Sequence, residues 1–178
     1  MTRTICLLFL LLVCVVPGSV LAQHHGPNPA VSIEKMKAFE PMLGEWKGEG
    51  WMVLPNGERA EFLSTESAVL ELGGTLVLVR GKHFSKDDPE RVVHDALATI
   101  AWDQAEERYR FLTHLATGAL GDFTIVPTDT GFSWTIDLPM MKMRYVADFT
   151  DGSWVETGER SMDGTTWTPF FEMRLTRQ

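Results

Sequence analysis

The residues with the most chemical potential in this sequence are its histidines and the acids near them. His83 and His94 flank the segment 85–91, so a hairpin there sets two imidazoles opposite one another, with Asp95 next in sequence. Two imidazoles fall short of a closed zinc site, and Asp95 must point to the other face of a strand from His94. Exposed or hydrogen-bonded histidines are therefore expected, and no metal ligand is assigned. His114, beside Thr113 and near Thr117, is read as a polar group in a cavity. Gln23-His24-His25, if it begins a processed chain, has the spacing of a square-planar Cu(II) or Ni(II) site, but cyclisation of the Gln would remove the required amine. Glu66, Asp148, Glu156 and Glu159 are scattered through strand-like segments and read as solvated faces. No catalytic residue is assigned, because the sequence has no Gly-x-Ser-x-Gly elbow, His-Glu-x-x-His, phosphate loop or dinucleotide fingerprint. Met140-Met141-Lys142-Met143, with Trp134 and Tyr145, supplies an adaptable apolar lining that suits a filled core and a cavity equally well.

The elements that must position these groups begin after a leader. Residues 1–22 have a basic start at Arg3, an apolar run from Ile5 to Val16 and a Val20-Leu21-Ala22 cleavage pattern, as in an export signal. That run is shorter than the roughly 20 residues a membrane span needs. Lipid anchoring at Cys14 is disfavoured by the bulky Val13 before it. Both cysteines, Cys6 and Cys14, lie in the leader, so a chain starting at Gln23 has neither a disulfide nor a thiolate site. The whole chain carries 24 acidic against 16 basic residues. That balance argues against nucleic acid or an anionic membrane as partner. Periplasmic or secreted placement is expected, with no membrane insertion, and the oligomeric state stays open.

Residues 23–31 read as a flexible tether, with Pro27 and Pro29. Ser32 is placed to cap a short helix carrying Ile33, Met36 and Phe39 on one side and ending at Glu40, before Pro41. Residues 32–178 read as one domain. Nine turn signals punctuate it: Pro55-Asn56-Gly57, Gly73-Gly74, Lys86 to Pro89, Asp103 to Glu107, Thr117-Gly118, Asp129-Thr130-Gly131, Leu138-Pro139, Asp151-Gly152 and Asp163-Gly164. About ten β-rich segments remain between them, and tight Asp-Gly turns join neighbours in sequence as neighbours in the sheet. The expected fold is all-β, a single up-and-down antiparallel barrel. Alternation puts Trp46, Gly48, Gly50 and Met52 on one face, and Phe132, Trp134 and Ile136 on another strand's inner face. Met141, Met143 and Tyr145 point inward as well, as do Phe171, Met173, Leu175 and Arg177. For segments 76–84 and 92–102 both faces are apolar, and alternation does not decide.

The opening Gly44-Glu45-Trp46, with Arg177 near the end of the last strand, resembles the lipocalin and fatty-acid-binding superfamily. The resemblance implies that Trp46 closes one end of the barrel with Arg177 packed over its face, Gly44 belonging to the same closure. The longer Gly44-x-Trp46-x-Gly48-x-Gly50 is similar to the opening of nitrobindin-type haem-binding barrels, and of a related group of exported bacterial barrels of uncharacterised function. Those nitrobindins take their iron ligand from a His in the final strand, shortly after a Pro. Here Pro169 is followed by Phe170-Phe171, and no His follows His114. Haem is therefore the disfavoured alternative, and no cofactor is expected. The leading expectation is a barrel that binds a small apolar or amphipathic ligand, lined by Trp46, Met52, Phe62, His114, Trp134, Met143, Tyr145 and Phe171. Besides a haem protein acting on reactive nitrogen species, the other alternative is a ligand-free structural or interaction barrel.

Overall fold

The computed structural model describes residues 26–178; the leader and the Gln23-His24-His25 segment lie outside the described residues. Ten strands follow one short helix. They are β1 (Gly44–Val53), β2 (Arg59–Glu71), β3 (Leu76–Ser85), β4 (Val92–Asp103), β5 (Arg108–Leu115), β6 (Leu120–Pro127), β7 (Gly131–Leu138), β8 (Met141–Asp148), β9 (Ser153–Ser161) and β10 (Thr168–Arg177). Each strand pairs antiparallel with the next, and β1 also pairs with β10, so the sheet closes with no free edge. Closure removes the two exposed edges an open sheet would have, although β6 and β7 pair over only three residues, Ile125–Pro127 with Phe132–Trp134. All nine turn signals fall at the junctions of consecutive strands, with Asp103, Gly131 and Leu138 as strand-end residues.

The helix departs from its sequence reading. Helix α1 spans Pro29–Met36, and a 3-10 segment over Lys37–Met42 continues it through Pro41. Asn28, not Ser32, is the N-cap, accepting from the Ala30 N–H, and Pro29 takes the first turn, where its missing N–H costs nothing. Ser32 is buried instead, its hydroxyl accepting from Gln104 Nε2 at 2.9 Å. Gln104 also accepts from the Asn28 N–H and donates to the Asn28 carbonyl. The tether expected to reach residue 31 is thus already anchored at Asn28.

This N-terminal segment plugs the end of the barrel where β1 begins. Met36, Phe39 and Met42 are each about 1% exposed and join a core of Trp46, Ala68, Val77, Ile100, Ile125, Phe132, Ala147, Trp154 and Leu175. Phe39 meets Tyr109 edge to face at 5.1 Å, and the Tyr109 hydroxyl donates to the Lys35 carbonyl. Trp46 Nε1 donates to the Met42 carbonyl at 2.8 Å. Arg177 lies 4.2 Å from the Trp46 ring and donates to the carbonyls of Leu43 and Pro41. The cation therefore closes the barrel end and satisfies the last carbonyls of the plug together. Gly44 sits at φ +124°, and a Cβ there would come within 2.6 Å of the Arg177 guanidinium, so both backbone and space require glycine.

Candidate functional site

The opposite end, ringed by the β1–β2, β3–β4, β5–β6, β7–β8 and β9–β10 turns, has no helix across it among the described residues. Its inward side chains follow from strand alternation. Met52, Phe62, Trp134, Met143, Tyr145 and Phe171, all read from the sequence as lining, stand at this end. Phe62 and Phe171 are buried, while Met52, Trp134, Met143 and Tyr145 are only half-buried. Trp134 and Tyr145, opposite each other on β7 and β8, stack at 4.6 Å with rings nearly parallel. Tyr145 meets Phe171 edge on at 6.1 Å, and Phe171 stacks on Phe62 at 5.8 Å. That last contact crosses over β1, where Gly50 lies opposite Phe62 on one side and Met173 on the other; a Cβ on Gly50 would fall 2.5 Å from the Phe62 ring. The glycine spacing after Trp46 thus lets β2 and β10 touch inside the barrel.

Two of the expected lining residues lie elsewhere. Trp46 is at the plugged end, buried against Phe149 and Trp154, and has no part in the open mouth. His114 is exposed on the outer wall, correcting its reading as a cavity group. On β5 the inward positions are Tyr109, Phe111 and Thr113, and the next residue must turn outward. There His114 borders a shallow concavity of about 510 Å³ with Glu45, Thr65, Arg80, Lys82 and Asp95. Its charged groups face solvent, and Lys82 and Asp95 already pair at 3.0 Å.

Below the aromatic mouth lies a polar floor that was misread in the sequence. Glu66 and Glu156, expected on solvated faces, are inside the barrel, each about 8% exposed, with Ser64 and His83. The register brings His83 opposite His94, ring centres 4.9 Å apart, as the hairpin reading anticipated. Phe62 lies flat on the His83 ring at 4.4 Å. His83 Nε2 is 3.2 Å from Glu66 Oε1, while its Nδ1 is buried without a partner among the described residues. Ser64 Oγ reaches only Glu66 Oε1 at 3.5 Å and the Met173 sulfur at 3.4 Å. Glu156 Oε2 accepts from Trp154 Nε1 at 3.2 Å. The Glu66 carboxyl rests over Gly81, where a Cβ would fall 2.6 Å from Oε2, so β3 makes room for it.

Burial sets the charge state of this floor. It raises the Glu66 carboxyl to about 8, and raises Glu156 to about 8 with the nearby Glu66 adding to the shift. It lowers His83 to about 4, and lowers His94 to about 4 with His83 contributing. At neutral pH all four groups favour their uncharged forms, since a lone charge in the barrel would lose its hydration. Alternation carried the missed signal: Glu66 shares its face with Phe62, and Glu156 shares its face with Trp154 and Gly158.

The residues present do not fit haem in the nitrobindin manner. Where β10 faces the mouth it carries Phe171, stacked on Phe62, and His83 has its Nε2 committed to Glu66. No ligand grouping for a metal ion occurs among the described residues.

No protein-family model matches the chain, and no curated protein matches it. Solved structures do. Rv2717c from M. tuberculosis aligns with a TM-score of 0.58 at 14% identity, over 85% of this chain and 99% of that one. The S-type phycobiliprotein lyase CpeS from Guillardia theta aligns with a TM-score of 0.57 at 11% identity, over 86% and 98%. Both share the calycin-like barrel, and at these identities the likeness is one of fold.

Proposed function

We propose that this barrel binds a small amphipathic molecule, taken in at the unplugged end. The apolar body lies against Met52, Trp134, Met143, Tyr145 and Phe171, and the polar end reaches the Glu66–His83–Glu156 floor. The observation that carries the reading is the pairing of half-buried, inward aromatic rings with under-bonded polar groups beneath them. A barrel built only to be stable would fill that end with aliphatic side chains and leave no buried polar atom unsatisfied. The barrel of a phycobiliprotein lyase, which has the same fold, supports the reading. The reading also places the chain outside the cytoplasm, supported by the leader pattern of residues 1–22 and the lack of cysteine after it.

The test is a fluorescence titration with N-phenyl-1-naphthylamine, a neutral apolar probe. We expect saturable binding, weakened roughly tenfold in Trp134→Ala through loss of one buried aromatic contact. Trp51→Ala is the control. That ring lies on another strand under Arg59, 4.2 Å away, and its removal leaves binding unchanged. No saturable binding, or equal losses in the two variants, refutes the proposal.

A further inference from the structure

The polar floor specifies more than polarity. Glu66 has one oxygen bonded to His83 and Ser64, and Glu156 has one bonded to Trp154; Glu66 Oε2 and Glu156 Oε1 accept no hydrogen bond from the described residues. Donors at this depth are already committed: the Trp154 N–H to Glu156, and the Ser64 hydroxyl to Glu66 and a methionine sulfur. His83 adds a second under-used polar atom in the same place, its Nδ1, on a ring about 6% exposed. No Lys or Arg is buried among the described residues. The nearest inward cation along β9, Arg160, is half-buried and stands opposite Met143, two inward positions beyond Glu156 towards the rim. The floor therefore holds two facing carboxyls, each with one oxygen unbonded, and no counter-charge.

From this imbalance we infer that the ligand is a cationic amphiphile, a primary amine whose ammonium group enters first and is held between Glu66 and Glu156. The inference rests on the binding reading above and narrows it to one chemical class. An ammonium offers three donors and a positive charge, which the two carboxyl groups complement once one gives up its proton, whereas a carboxylate would set a third acid beside them. The excess of acidic residues in the chain favours approach of positive ligands over negative ones. In the empty barrel the carboxyls keep their protons; the ammonium supplies the charge that lets one ionise, and the displaced proton leaves to solvent. The pair is faced by His83 from β3, His94 from β4 and Tyr145 from β8, none of which is cationic at neutral pH.

Displacement of N-phenyl-1-naphthylamine by octylamine, octanol and octanoate, which share one apolar tail, tests the inference. We expect octylamine to compete at least about tenfold better than octanol, the scale of one charge-assisted hydrogen bond, and octanoate to be no better than octanol. In the double variant Glu66→Gln, Glu156→Gln, the preference for octylamine over octanol is lost. Octanoate competing as well as octylamine, no preference for the amine, or a preference that survives in the double variant each overturns the inference while the binding barrel stands. Failure of all three tails to compete overturns both.

Discussion

Glu156 is the residue whose behaviour most sharply separates a functional floor from an ordinary core. Its folded-state affinity for a proton is raised, to about 8, while in the unfolded chain it titrates as a normal carboxyl. The contribution follows from that sign. Below the unfolded value both states are protonated and the residue costs nothing; as pH rises through the window from about 4.5 to 8, the unfolded state ionises first and stability falls. Glu156→Gln keeps an acceptor for the Trp154 N–H and removes the titration. Urea denaturation is expected to show the variant about as stable as the parent at pH 5 and more stable by something on the order of 3 kcal/mol at pH 8. Equal stabilities at both pH values would mean that the carboxyl is hydrated rather than buried. At this scale the sequence was partly legible. The resemblance implied an arginine over Trp46, and alternation along the last strand selected Arg177, which shares a face with Phe171, Met173 and Leu175. The same alternation runs through Phe62-Ser64-Glu66-Ala68, yet acids there were assigned to solvent on their composition alone. Position on a strand outranks residue type when one face of that strand is sealed.

At the scale of elements, the strands were legible because each turn is written in Gly, Pro, Asn and Asp, whose backbone preferences act locally. The faces of β3 and β4 were not, since Leu76, Leu78 and Leu97 make their outer surface nearly as apolar as the inner one. Only the closed sheet shows Val77, Gly81 and His83 turned inward, with Ala98 and Ile100 opposite. The helix was found but misplaced by four residues. Its start depends on Gln104, which lies 76 positions away and binds Asn28 in both directions. The plug it forms serves stability, at the end opposite the mouth. Phe39→Ala, which empties a site buried among Met36, Tyr109 and Phe132, should cost about 3–4 kcal/mol in urea denaturation. At temperatures where the variant stays folded, its affinity for N-phenyl-1-naphthylamine should match that of the parent. A matching loss of probe affinity would show the two ends to be one continuous site.

On the scale of the whole molecule, ten strands close the barrel and the N-terminal plug makes its two ends different. The plugged half holds Trp46, Trp154, Phe132 and Phe149 in mutual ring contacts and carries the packing. The other half carries the half-buried rings and, beneath them, the acids. No helix among the described residues is long and apolar enough to cross a membrane. The architecture is that of Rv2717c and of CpeS, while the acid floor is argued from this chain's own residues. Native mass spectrometry of the protein purified without denaturation from its own host tests the central claim most directly. The account predicts the mass of a chain beginning at Gln23 together with one small molecule, released when N-phenyl-1-naphthylamine is added. A ligand-free mass, joined to a crystal structure in which Trp134, Tyr145 and Phe171 close the mouth upon themselves, would contradict it.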